Sequence, residues 1–246
     1  MTTLDSSALI DLWERTGSMD PVDRAVTLAH AADPERDEDA LLDLPLGRRD
    51  ELVLRLRREL DGDSLEAVAA CPACGERAEL VADAAAVCAL GESSAPVAPV
   101  EVGGLRAEWR TPTTRDVAAA LSSDDVTAEL LRRCILRIEA PGHDRGEIPV
   151  TEAPDRLRAA VVDAMAAADP VADLLIEVEC PACVERFVVD LDVPRFVWDE
   201  IDVRARRLLN EVDLLARVYG WTESEVLALS DRRRATYLAL VTESPA

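Results

Sequence analysis

Apolar positions in the first sixty residues recur at helical spacing. Leu9, Leu12 and Trp13 share one helical face. Pro21, directly after Asp20, opens a second helical stretch, VDRAVTLAHAA. Residues 33–39, DPERDED, interrupt the pattern with charge and read as a solvated loop. LPLGRRDELVLRLRREL then resumes the period through Leu52, Val53, Leu56 and Leu60, and Asp61-Gly62 stops it. Beyond that point the period shortens. Residues 65–70 lead into CPACGER, and AELVAD after it alternates as a strand does. GESSAPVAPVEVGG, residues 91–104, reads as a connector rich in Gly, Pro and Ser. LRAEWR alternates again, with Leu105, Ala107 and Trp109 on one side. TPTTRDVAAAL opens a helix with a threonine to cap it. A helix over 124–138 carries Val126, Leu130 and Cys134 on one face. PGHDRGE is a turn, and Pro154 to Ala168 is amphipathic through Leu157, Val161 and Met165.

A second CPAC, in CPACVER at 180–186, lies between two strand-like runs, DLLIEVE and FVVDLD. Pro194 then opens the longest predicted helix. Its apolar positions Trp198, Ile201, Ala205, Leu208, Val212, Leu215 and Tyr219 are spaced 3, 4, 3, 4, 3 and 4. That is a heptad seam. It can pack on the protein's own helices, the favoured reading, or dock on a partner helix. Gly220 is the expected stop, Thr222 with Glu225 makes a capping box, and Ser230 can cap a last helix reaching about Val241.

These elements predict an α+β chain, mostly helical, with a small antiparallel zinc-ribbon sheet built from the two CPAC hairpins. Four regions follow: an N-terminal helical region over 1–62, a split ribbon over 63–90 and 171–193, a helical insertion with a short strand over 91–170, and a C-terminal helical region over 194–246.

Composition narrows the function classes. The 246 residues are 49% hydrophobic but only 3% aromatic, so aliphatic side chains and alanine must build the core. All basic residues are arginine. The net charge of −22 sets an average field that repels a polyanion, which argues against nucleic acid as a partner. No apolar run approaches the roughly 20 residues a membrane span needs. The start lacks a basic and apolar leader, so the expected compartment is the cytoplasm, where thiols stay reduced. No Walker loop or GxGxxG occurs. His30, at a helix end, and His143, in a turn, have no obvious nucleophile or carboxylate partner, so no catalytic site is expected.

The repeated CPAC carries the chemistry. Cys-x-x-Cys on a tight turn is a knuckle that points two thiolates from one hairpin tip. Two knuckles complete a tetrahedral four-cysteine zinc site with Zn–S of about 2.3 Å. Cys71, Cys74, Cys180 and Cys183 form that candidate set, with Zn2+ in a structural role. The copies start 109 positions apart, far beyond the roughly 15–20 residues common in compact sites. Gly75 permits a left-handed turn after the first pair. The second copy has Val184 there, so the two turns need not be identical. Two separate redox dithiols, or two pairs of inert buried thiols, are the alternatives. A catalytic zinc is disfavoured because four thiolates leave no open position. Cys88 and Cys134 read as small core residues.

The order LPLGRRDELVLRLR, CPACGER, RTPTTRDVAAAL, ADPVADLLIEVECPAC and FVWDEIDVRARRLLNEVDLLARVYGWTESEVLALSDRRRATYLALV resembles the T4-type baseplate proteins of contractile tails and extracellular contractile injection systems. The resemblance covers about residues 44–241, and YGWTESEVLALSDRRRATYLALV is its most specific part. Both cysteine pairs match the zinc-ribbon-bearing subset, with Val184 in place of the usual glycine. The resemblance implies a non-enzymatic structural or assembly component, partnered by other baseplate or hub proteins and incorporated into a tail-like particle. A zinc-ribbon adaptor of a regulatory complex, and a CxxC dithiol oxidoreductase, are the functional alternatives.

Overall fold

The computed structural model of the chain describes residues 4–92, 95–140 and 148–243. The predicted turn PGHDRGE, with His143, lies outside the described residues. In chain order the elements are α1 (Ser6–Gly17), α2 (Pro21–Ala32), α3 (Glu38–Leu42), α4 (Leu46–Asp61), β1 (Ser64–Ala70), β2 (Arg77–Asp83), α5 (Ala84–Glu92), β3 (Val100–Val102), β4 (Leu105–Trp109), α6 (Thr114–Ala120), α7 (Val126–Cys134), β5 (Ile135–Glu139), a 3-10 turn (Val150–Glu152), α8 (Asp155–Ala168), β6 (Leu175–Glu179), β7 (Arg186–Asp190), α9 (Val193–Tyr219), α10 (Glu223–Leu227) and α11 (Asp231–Glu243). The fold is mostly helical with small antiparallel sheets, as expected, but the two CPAC hairpins form separate two-stranded sheets rather than one, and a three-stranded sheet is added. Two compact units divide it: Pro21–Pro194, and the residues up to Asp20 together with those from Arg195 on.

In the Pro21–Pro194 unit, α2 packs along α4, burying Ala25, Leu28 and Ala29 on one helix and Leu52, Val53 and Leu56 on the other. Pro45, at the N-cap of α4, has no side chain that can cap it. The cap comes from 122 positions away: the Gly47 N–H donates to Asp169 Oδ2 at 3.0 Å. A Cβ at residue 47 would clash with the Asp169 carboxylate and come within 3.0 Å of the Ala172 backbone N.

A three-stranded sheet in the order β3-β4-β5 buries Ala107, Trp109, Ile135 and Ile138 against Leu131 of α7 and Leu157 and Val161 of α8. Two of its strands depart from the sequence expectation. Gly103 and Gly104, both left-handed, turn β3 back on β4 as a two-residue hairpin, so part of the predicted connector is a strand. The helix expected over 124–138 stops at Cys134. Ile135 and Ile138, β-branched and buried, pair with Trp109 and Ala107 instead. Sheet pairing outweighs the local helical period there. The buried face of α7 is consequently Leu131 and Cys134, and Val126 is exposed.

The same unit contains two cysteine hairpins, β1-β2 and β6-β7. Their inner faces pack together through Ala78, Leu80 and Val178, with Ala67, Ile176, Phe187 and Val189 around them. The resemblance between the hairpins extends to their flanks. Elements α4, β2 and α5 begin at 46, 77 and 84; α8, β7 and α9 begin at 155, 186 and 193, each 109 positions later. A helix–hairpin–helix unit therefore occurs twice in one register.

In the other unit, the heptad seam of α9 is core. Ile201, Ala205, Leu208, Val212 and Leu215 are buried, and only Tyr219 is exposed. Tyr219 stacks on Trp221, and both meet Tyr237 edge-on. Trp13 Nε1 donates to Asp202 at 2.7 Å. Arg234 is buried, donating to Glu211 Oε2 and Asp231 Oδ1, each at 2.7 Å, and to the Leu229 carbonyl. Of the consecutive Arg232, Arg233 and Arg234, the last is thus an internal crosslink. Gly220 ends α9 with φ 70°, and the Thr222–Glu225 capping box is formed.

Candidate metal centre

Each cysteine pair sits where its ladder closes. Ala70 pairs with Arg77 at the tip of the first hairpin, and Glu179 with Arg186 at the tip of the second. Beyond those pairs the chain turns back within six residues. The Cys71 N–H donates to the Glu76 carbonyl at 2.8 Å and the Gly75 N–H to the Cys71 carbonyl at 2.9 Å. The second tip repeats both bonds, from Cys180 to Glu185 at 2.9 Å and from Val184 to Cys180 at 3.0 Å. The sequence left room for two different turns; they are the same. Gly75 has φ 77°, and Val184 is held at φ 57°, the left-handed region that a β-branched residue avoids.

Face-to-face packing of the hairpins brings the tips together. The four sulfurs of Cys71, Cys74, Cys180 and Cys183 lie within 4.8 Å of one another. The shortest approaches cross between hairpins, Cys71 to Cys183 at 3.7 Å and Cys74 to Cys180 at 3.6 Å. A tetrahedron with metal–sulfur bonds of about 2.3 Å has edges of about 3.8 Å. The observed spacing fits that edge and is far from the roughly 2.05 Å of a disulfide; all six cysteines are free thiols. The first cysteine of each pair is buried and the second exposed, so the cluster is walled on one side and open at the tips.

Backbone amides favour charge on these sulfurs. The N–H groups of Cys183 and Ala182 bring the Cys180 thiol down to about 7. The Glu185 N–H does the same for Cys183, but the adjacent sulfurs of Cys74, Cys180 and Cys71, with burial, push Cys183 up to about 12. Cys74 receives the Glu76 N–H, yet Cys180, burial and Cys71 leave it raised. The cluster thus accepts one thiolate readily and resists the next. A divalent cation would supply the missing positive charge and release the remaining protons.

Among the described residues this is the group of metal-ligating side chains close enough to share one ion. Cys134, buried on α7, is pushed up to about 11 by burial, and burial also raises Cys88. Both lie outside the cluster, as their apolar settings predict. His30 sits in the last turn of α2 with Nδ1 3.1 Å from the Arg36 carbonyl oxygen.

Two polar supports were not legible in the sequence. Asp116 accepts from Arg110, Arg133 and Thr113 at the start of α6. Burial opposes its charge, but Arg110 and Thr113 hold it well below the usual carboxylate range. The second support is Asp169 over Gly47. In both cases the partners are remote in sequence or lack a distinctive spacing. The threonine cap was the one visible trace.

A family profile described as T4 bacteriophage base plate protein matches residues 27–196. The matched stretch takes in both knuckles and the sheet between them. No curated protein and no solved structure matches the chain.

Proposed function

We propose, on the premise that this chain belongs to the T4 bacteriophage base plate protein family, that it is a non-enzymatic structural or assembly component of a contractile-particle baseplate or hub, with one structural Zn2+ held by Cys71, Cys74, Cys180 and Cys183. The observation carrying the metal is the convergence of four sulfurs from segments 109 positions apart at the edge length of a tetrahedral thiolate site. Four thiolates suit zinc and leave no coordination position for water or substrate. Cys71 and Cys180 anchor the site from the buried side, and Cys74 and Cys183 close it at the tips. The ion when bound supplies charge compensation and a crosslink. The apolar contact between the hairpins is small, so the crosslink would add substantially to what joins their tips.

The partners are other baseplate or hub proteins. Nucleic acid is disfavoured by the charge of −22, and no described helix is long and apolar enough to cross a membrane. Elemental analysis of the purified chain tests the metal: about one zinc per chain is expected, and none in Cys180→Ser, with a marked loss of thermal stability. Full metal retention and unchanged melting in that variant would refute the shared site. Incorporation is tested separately, by tracing the chain in purified particles; its absence from particles and from assembly intermediates would refute the baseplate role.

A further inference from the structure

The α7 and α8 helices share the core of the three-stranded sheet through Leu131, Leu157 and Val161. A groove of about 360 Å³ is lined by Leu130 and Leu131 of α7 and Met165 of α8, together with Leu46 and Pro112. Its rims keep Val126 39% and Val162 44% exposed, although both sit on helices whose other faces are buried. The charged residues lining the groove, Asp169 and Asp173, are both carboxylates. Asp169 is buried and takes the Gly47 N–H. Burial raises its pKa, with the Gly47 N–H and then Arg48 and Arg49 acting only in part against it.

We infer that this groove is a docking site for an amphipathic helix of another protein, one that lays leucine-sized side chains along Leu130 and Met165 and presents an arginine or lysine to Asp169 and Asp173. The shape follows from the walls. Two helices with an apolar gap between them offer ridges and grooves that a third helix fills. The charge follows from the lining. An acidic helix would set its carboxylates against two others in a chain already at −22, whereas a basic residue would offset the charge buried at Asp169. The owner of that helix as a baseplate neighbour rests on the proposed function; the groove and its charge do not.

The test uses the zinc-loaded full chain and two synthetic amphipathic helical peptides. They are identical in their leucines and differ only in carrying arginine or glutamate at the positions flanking them. Binding is followed by fluorescence anisotropy, and contacts by amide chemical shifts. The arginine peptide is expected to bind about tenfold more tightly. Its shifts should centre on Val126, Leu130, Val162 and Met165. Val162→Glu, at an exposed position that leaves the fold intact, should remove that binding, and Asp173→Asn should narrow the preference between peptides. Equal binding of both peptides, binding elsewhere, or no binding would overturn the inference. So would self-association of the free chain that Val162→Glu abolishes, since it would assign the groove to a second copy. None of these outcomes depends on whether the chain enters a particle.

Discussion

Val184 offers the sharpest test of the metal-site geometry. It occupies the position that Gly75 fills in the first knuckle, with the same hydrogen bonds and φ 57° against 77°. A left-handed conformation costs an L-residue about 1–2 kcal/mol. Because Val184 is 71% exposed, replacing it removes little apolar burial. Val184→Gly therefore relieves the backbone at the expense of a more flexible unfolded chain, worth about 0.4–1 kcal/mol. The net expectation is a gain of about 1 kcal/mol, or about 2–4 °C in melting temperature for a chain of this size. The reciprocal change isolates the same quantity. A Cβ at Gly75 meets nothing within 4 Å, so the loss in Gly75→Val reports backbone strain and not a clash. It should fall by a similar amount. Urea midpoints at saturating zinc give both values, and competition with a chromogenic chelator shows whether the strain also weakens metal binding. If Val184→Gly is neutral or destabilising while Gly75→Val is tolerated, the two knuckles are not equivalent turns and the strain argument fails.

Other substitutions probe the scaffold. Gly47→Ala forces a methyl group onto Asp169 and breaks the cap of α4; a loss of about 1–3 kcal/mol is expected by chemical denaturation, and pairing it with Asp169→Ala should cost less than the sum of the two single changes. Arg234→Ala removes the buried partner of Glu211, which keeps Arg207, and of the exposed Asp231, and should cost about 1–3 kcal/mol, seen as an earlier unfolding step in calorimetry. Asp50 is raised to about 6 by burial, only partly offset by Arg49. Its folded value lies above its unfolded one, so the stability it contributes is complete below about pH 4 and is lost as pH rises through about 6. Asp50→Asn should flatten the stability profile across that window, and an unchanged slope would refute the assignment.

The sequence was most legible where local chemistry decides the structure. The 3.6-residue period placed α1, α2, α4 and α8, Gly220 and the Thr222–Glu225 box marked real ends, and the CPAC spacing located both tips. It was least legible where a distant segment outvotes a local preference. Ile135–Glu139 is strand because β4 lies beside it; Val100–Val102, by contrast, is strand through a local signal, the Gly103-Gly104 turn, that the connector's Gly, Pro and Ser content masked. The seam of α9 could have faced inward or outward on periodicity alone; burial of Ile201, Ala205 and Leu215 decides it. The duplication was visible only as seven residues. Around the knuckles the two copies share starting points but few side chains: Ala78 and Leu80 of the first hairpin stand where the second has Phe187 and Val189. Element boundaries reveal what identities conceal.

The register of 109 positions also constrains how the protein comes into being. A ribosome adding about 5–20 residues per second delivers the second knuckle roughly 5–20 s after the first. During that interval Cys71 and Cys74 would stand as half of the proposed site. The proposed joint can close only after Cys183 has emerged, 112 residues beyond Cys71, so an ion bound there would act as a late stitch and not as a nucleus.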